Sequence, residues 1–222
     1  MLFIKFNFSH NGGTSKQPID FPDLEAFGHN NYRKELNDLQ TIIDWVCSES
    51  FIARKEIDPS KIILIGHSRG GGIVTIKASE DQRINKVITW AGVSDFKARF
   101  PKGEALEKWK EEGVMYIENG RTKQQMPHYY QFYSSFKAEE EGLNIANAVK
   151  KLNIPYLIIH GADDPTVDVK EAYHLQKWSK QGRLKVIPDT DHVFGAKHPW
   201  DLEELPIKLQ QTVDYTFQFA IN

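Results

Sequence analysis

Cysteine is nearly missing from this chain. Cys47 is the single one in 222 residues, which excludes an internal disulfide and any cysteine-based metal cluster. Long apolar runs are missing too: nothing approaches the ~18 consecutive apolar residues of a membrane span. There is no excess of charge of one sign. The 28 Lys and Arg residues are scattered among 30 Asp and Glu residues, and the net charge of −2 predicts neither a nucleic-acid partner nor an anionic membrane surface. His10, His29 and the acidic loops form no spaced ligand set, so neither a metal nor a cofactor is expected. No repeat or low-complexity tract interrupts the chain. Its start, Met1-Leu2-Phe3-Ile4-Lys5-Phe6-Asn7-Phe8, is too short and too alternating for a signal peptide. That points to the cytoplasm if Met1 is the true start. The length suits one domain with a real core.

What is there alternates between short apolar runs and longer amphipathic segments, the pattern of an α/β fold with a mostly parallel sheet and helices on both faces. Leu2 to Phe8 reads as a strand and residues 9–30 as a loop. Leu36, Leu39, Ile42, Ile43 and Val46 give residues 32–52 helical spacing. Lys61-Ile62-Ile63-Leu64-Ile65 reads as a strand buried on both faces, with a helix from Ser68 to Ser79 after it. Strands are predicted again at 86–91, 155–160 and 184–187, and helices at 143–152, 168–180 and 203–219. Asp168 and Glu171 have capping-box spacing, and Asp201 is a plausible N-cap with Pro206 in the first turns. Residues 97–142 show no strand pattern and read as a helical lid inserted into a single domain. Glu139-Glu140-Glu141 reads as a solvated face, and the aromatics of 129–136 as lid core ahead of a substrate stack.

One motif carries chemistry. Gly66-His67-Ser68-Arg69-Gly70 is a G-x-S-x-G pattern, and chance alone yields roughly 0.07 matches in a chain this long. Its setting adds the weight: an apolar strand before and a helix start after, the strand–turn–helix of a nucleophile elbow. Such a turn is strained, so residues two positions either side of the serine must be small. The Arg69 N–H then faces the oxygen of a carbonyl under attack. The bland alternative makes Ser68 a helix N-cap in a glycine-rich turn.

A serine hydroxyl needs a base, and the base an orienting carboxylate. In elbow-type hydrolases these follow in the order Ser, Asp or Glu, His, each after a strand. Asp163 and Asp164 follow the strand at 155–160. His192 follows the strand at 184–187 and is the base candidate. The other seven histidines lack that placement, and Asp191 is poorly positioned to orient its neighbour.

Three blocks resemble the signatures of α/β-hydrolases: Gly66-His67-Ser68-Arg69-Gly70-Gly71, His160-Gly161-Ala162-Asp163-Asp164-Pro165-Thr166-Val167 and Asp191-His192-Val193-Phe194. The likeness is to the esterase, dienelactone-hydrolase-like and acyl-peptidase-like branch. It covers most of the chain outside 97–142. The second block in that branch reads His-Gly-x-x-Asp-x-x-Val, which implies Asp164 as the acid. Residues 6–15 resemble the strand and loop preceding the nucleophile unit. One departure stands out, because members usually carry more strands before that unit, and one of their loops donates the second oxyanion N–H. The resemblance therefore implies either an N-terminally shortened version of a longer protein, the favoured reading, or a minimal hydrolase in which His10-Asn11-Gly12-Gly13 supplies that donor.

The expected activity is hydrolysis of a small-molecule acyl ester by Ser68, Asp164 and His192, with Arg69 N–H in the oxyanion hole. A peptidase or amidase on the same residues is the alternative, and a non-catalytic binding protein that keeps the fold is the third. The sequence is silent on oligomeric state.

Overall fold

A computed structural model of the chain describes residues 1–18 and 20–222. In chain order the elements are α1 (Leu24–Gly28), α2 (Tyr32–Cys47), β1 (Ile62–His67), α3 (Arg69–Glu80), β2 (Ile84–Trp90), α4 (Glu104–Glu112), β3 (Val114–Glu118), β4 (Gln125–Tyr129), α5 (Gln131–Ala138), α6 (Ile145–Lys151), β5 (Tyr156–Gly161), α7 (Lys170–Trp178), β6 (Gly182–Ile187) and α8 (Ile207–Ile221). They fall into two compact units, residues 1–57 with 97–143, and residues 58–96 with 144–222.

The second unit holds a four-stranded sheet in the order β1-β2-β5-β6, every pairing parallel. Side chains alternate between its faces. On one face Tyr156 of β5 reaches Thr75 of α3 and Thr89 of β2, its hydroxyl 3.2 Å from each. On the other, Ile88, Leu157, Ile159 and Ile187 form a core cluster with Phe194 and Phe219, against which Leu209 and Tyr215 of α8 pack. Trp90 Nε1 donates to Thr216 Oγ1 at 2.9 Å, and Lys86 Nζ donates to the Phe219 and Ala220 carbonyls that end α8. β5 is buried along its whole length, as a central parallel strand must be. β1 is not: it lies at the edge of the sheet, and Ile65 is 37% exposed, against the expectation of burial on both faces.

In the first unit, α2 starts at Asn31, whose Oδ1 accepts the Lys34 N–H at 2.9 Å. Tyr32, Phe100, Phe132 and Phe136 are buried together, their ring centroids 4.8–6.2 Å apart. Phe132 and Phe136 are therefore core of this unit. Residues 97–142 are not wholly helical. β3 and β4 pair antiparallel around a turn in which Asn119 Oδ1 accepts the N–H groups of Arg121 and Thr122. The loop expected over 9–30 contains the short helix α1.

Three further expectations change. Residues 2–8 form no strand, because alternation makes a strand only where a partner completes the ladder, and Met1, Leu2 and Phe3 stay exposed. α8 begins after Pro206 rather than at Glu203: proline disfavours helix in the residue before it, so residues 201–205 stay outside and Pro206 takes the N-cap position. Glu171 closes no capping box. Asp168 Oδ1 accepts the Lys170 N–H, while Glu171 Oε2 accepts the N–H of Ser94 at 2.6 Å.

Candidate active site

Every candidate of the hydrolytic set lies in the sheet unit, beyond the C-terminal ends of β1, β5 and β6. That is where open parallel sheets gather functional groups. β1 ends at His67, and Ser68 turns the chain into α3 with φ 55° and ψ −123°. This is a conformation an L-residue avoids, at a cost of about 1–3 kcal/mol. The turn is held by its own backbone and by the end of β2: Ser68 N–H donates to the Trp90 carbonyl at 2.9 Å, and the Ser68 carbonyl accepts from Gly71 at 2.9 Å and Val93 at 3.3 Å. The Ser68 side chain makes no capping hydrogen bond to the helix it precedes, which removes the N-cap reading. Arg69 follows at the first position of α3, so its N–H belongs to the helix N-terminal turn.

The glycines divide in a way the motif does not announce. A Cβ on Gly66 would lie 2.3 Å from the Gly70 carbonyl oxygen, so Gly66 is indispensable to the turn. A Cβ on Gly70 would meet nothing within 4 Å, so the motif's second glycine is not required for space. The close approach passes instead to Gly71, where a Cβ would lie 2.8 Å from Gly92 Cα, and to Gly72, where it would lie 2.6 Å from the Phe96 ring.

Asp164 and His192 come together. Asp164 Oδ2 is 2.7 Å from His192 Nδ1, and Asp164 Oδ1 accepts the N–H groups of Thr166 at 2.8 Å and Val167 at 2.9 Å. The Asp164 side chain is fully buried and the His192 side chain 15% exposed. Burial alone would raise the Asp164 pKa. The Val167 N–H, the His192 ring and the Thr166 N–H outweigh it and hold the carboxyl below its ordinary value. Asp163 is exposed, and of the two adjacent aspartates it is Asp164 that meets the imidazole. Asp191 is occupied within its own turn, Oδ1 accepting from Val193 and Gly195. Among the described residues the Ser68 hydroxyl and the His192 ring are not hydrogen-bonded to each other.

Backbone strain gathers here. Of the five non-glycine residues with positive φ among the described residues, Ser68, Ala91, Asp189 and Phe194 belong to the loops that end β1, β2 and β6, and Lys123 lies elsewhere.

Two histidines that lacked placement in the sequence also belong to this site. His160, at 0% exposure, directs Nε2 to the Val167 carbonyl at 2.8 Å and lies 3.3 Å from Asp164 Oδ2. A carbonyl only accepts, so the proton sits on Nε2. His160 Nδ1 is then a buried acceptor without a partner. Burial, the largest influence, holds the His160 pKa below its ordinary value against the Val167 hydrogen bond and the Asp164 charge. His67 directs Nε2 to the His192 carbonyl at 2.8 Å, and the two rings lie 4.6 Å apart. Desolvation lowers its pKa too, opposed by that hydrogen bond. Both lie at the C-terminal end of a strand, His67 as the last residue of β1 and His160 as the penultimate one of β5, and only the convergence of these ends brings them to the site. Gly161 completes the junction, since a Cβ there would lie 2.5 Å from the Thr190 carbonyl oxygen.

The loop with the alternative oxyanion donor, His10 to Gly13, belongs to the other unit. Its Asn11 N–H donates to the Phe8 carbonyl and its Gly13 N–H to Asn11 Oδ1, so two of its four N–H groups serve its own turn.

Comparison with known proteins matches residues 9–205 to the family model described as the prolyl oligopeptidase family. The chain belongs to the prolyl oligopeptidase family. A relative described as the uncharacterized peptidase YtmA of Bacillus subtilis (strain 168) is 26% identical over 126 residues. That match takes in 56% of this chain but only 43% of YtmA. Solved α/β-hydrolase structures share the fold. A putative hydrolase from Agrobacterium vitis S4 superposes with a TM-score of 0.65 at 18% identity, over 89% of this chain and 71% of that one. Est1E from Butyrivibrio proteoclasticus, solved with ferulic acid bound, gives 0.61 at 19% identity over 88% and 70%. A monoacylglycerol lipase from Paleococcus ferrophilus gives 0.60 at 14% identity over 87% and 76%. Prolyl oligopeptidase family membership and these likenesses establish the α/β-hydrolase fold. No helix among the described residues is long and apolar enough to cross a membrane.

Proposed function

We propose that this protein is a serine hydrolase that cleaves a carboxylic ester through an acyl-enzyme, with Ser68 as nucleophile, His192 as base, Asp164 as its orienting carboxylate and the Arg69 N–H in the oxyanion hole. The observation that carries the proposal is the 2.7 Å bond from His192 Nδ1 to a buried, multiply hydrogen-bonded Asp164, beside a strained serine turn that opens a helix. Because the imidazole Nδ1–H donates a hydrogen bond to the Asp164 carboxylate, the proton stays on Nδ1 and the Nε2 lone pair is free to take the Ser68 proton. The Ser68–His192 bond closes as the substrate is engaged, since such contacts commonly tighten only in the reacting complex.

Ser68 Oγ then bonds to the ester carbonyl carbon while His192 Nε2 takes the hydroxyl proton. The Arg69 N–H supports the negative oxygen. The carbon–oxygen bond to the leaving group breaks, and the alcohol departs with the proton from His192. Water repeats the sequence: it gives a proton to His192, bonds to the acyl carbon, and returns Ser68 to its hydroxyl as the carboxylic acid leaves.

A second reading, a peptidase on the same residues, is favoured by the family match and by the description of YtmA. The monoacylglycerol lipase among the structural neighbours favours the ester. A fluorophosphonate probe tests what both share: the chain labels, and Ser68→Ala does not. No Ser68-dependent labelling overturns the proposal. A panel of p-nitrophenyl esters and aminoacyl anilides then divides the two, a higher kcat/KM on the esters supporting the first and on the anilides the second.

A further inference from the structure

Two histidine contacts tie His192 itself to the strand ends, beside the backbone bonds from Ala162 to Ile187 and from Asp163 to Thr190 that hold its loop against the end of β5. One is the His192 side chain, tied at Nδ1 to Asp164 at the end of β5. Alone it leaves the ring free to pivot about a single bond and the peptide of His192 untied. The other acts on the main chain: the His192 carbonyl accepts from His67 Nε2 at 2.8 Å, and the His67 ring leans against the His192 ring at a centroid distance of 4.6 Å and a tilt of 45°. His67 is the last residue of β1 and immediately precedes Ser68. A displacement of the serine turn therefore moves the anchor of the base with it. We infer that His67 is a positioning residue, a latch from the nucleophile's own strand that holds the backbone of His192 so that its Nε2 stays in register with Ser68.

The inference rests on the serine-hydrolase reading above and deepens it. The donor at position 67 must carry hydrogen on Nε2, because the carbonyl it meets offers only lone pairs. A neutral ring suits the place. When His192 becomes imidazolium on taking the Ser68 proton, a second cation 4.6 Å away would oppose that charge. Its lowered pKa, caused mainly by desolvation, favours the neutral form. The requirement is thus for a neutral N–H donor of fixed reach, and glutamine mimics the Nε2 position while phenylalanine keeps the ring and removes the donor.

The test compares wild type, His67→Phe and His67→Gln by the rate of Ser68 labelling with a fluorophosphonate probe and by the ¹³C shift of the His192 carbonyl. Circular dichroism establishes that each variant is folded. His67→Phe should label on the order of 10–100-fold more slowly, since a misplacement of about 1 Å costs up to 10²-fold. His67→Gln should recover most of that rate, and the His192 carbonyl shift should move in the first variant and return in the second. Equal labelling by wild type and His67→Phe, or no rescue by His67→Gln, overturns the inference. Absence of labelling in wild type instead overturns the serine-hydrolase reading, and the carbonyl shift, measured in Ser68→Ala backgrounds as well, reports on the latch independently. If His67→Phe does not fold, His67→Leu and His67→Gln provide the same contrast of donor absent and donor present.

Discussion

At Gly161 the end of β5 and the loop carrying His192 meet with no room for a methyl group. A Cβ there would lie 2.5 Å from the Thr190 carbonyl oxygen and 2.6 Å from that of Asp191, both backbone atoms. Gly161→Ala must push the loop carrying His192 away from β5, lengthening the Asp164–His192 bond. We predict a destabilisation of about 1–3 kcal/mol and a loss of Ser68 labelling larger than the fall in folded protein accounts for. Gly70→Ala is the contrast. With nothing near its Cβ and a place inside α3, it should leave labelling unchanged and stabilise by roughly 0.5–1 kcal/mol through the better helix propensity of alanine. Urea unfolding with parallel probe labelling reads both. The sequence motif treats Gly66 and Gly70 alike. Only the built turn shows that the first faces a carbonyl oxygen at 2.3 Å and the second faces open space.

Elements were legible where one segment contains its own signal. β2, β5, β6, α3, α6 and α7 fall within a few residues of their predicted spans, because a short apolar run flanked by turn residues, or apolar residues at helical spacing, marks each one locally. The failures share a cause: pairing depends on what lies alongside. Leu2 to Phe8 alternates like a strand and finds no ladder. Val114–Glu118 and Gln125–Tyr129 look unremarkable, with Pro127 inside the second, yet they pair because the intervening turn brings them together. β1 is apolar enough for a central strand and sits at the edge. The candidate site follows the same rule. Ser68, Asp164 and His192 are proposed from their order after strands, whereas the neighbouring His67 and His160 become visible only when three strand ends converge. At this scale α2 offers a clean test. Asn31 caps it through Oδ1 and ties it to Gln131 of α5 through Nδ2 at 2.9 Å. Asn31→Ala should cost about 1–2 kcal/mol, and Asn31→Ser should recover the cap but not the tie to α5, giving an intermediate urea midpoint.

For the molecule as a whole, buried His160 and strand-end His67 give stability a pH dependence whose sign can be worked out. His160 is held below its ordinary pKa by burial and His67 by desolvation, whereas in the unfolded chain both titrate near ~6.5. Below that value the unfolded state binds protons that the folded state does not, so stability falls as pH drops through about 6.5 and is fully present above it. Asp164 acts lower on the scale. Its folded pKa is depressed, so it contributes stability above the ordinary carboxylate value of ~3.9, lost as pH falls further. Two acid limbs should therefore appear in urea midpoints measured from pH 8 to pH 3. His160→Gln should make the upper limb shallower, with His67 supplying what remains, and leave the lower one, whatever its effect on absolute stability. Asp164→Asn should do the reverse. An upper limb as steep in His160→Gln as in wild type would show that the buried ring next to Asp164 accepts a proton without cost. The unpartnered Nδ1 of His160 argues against that outcome, because a proton placed there would have no acceptor within the core.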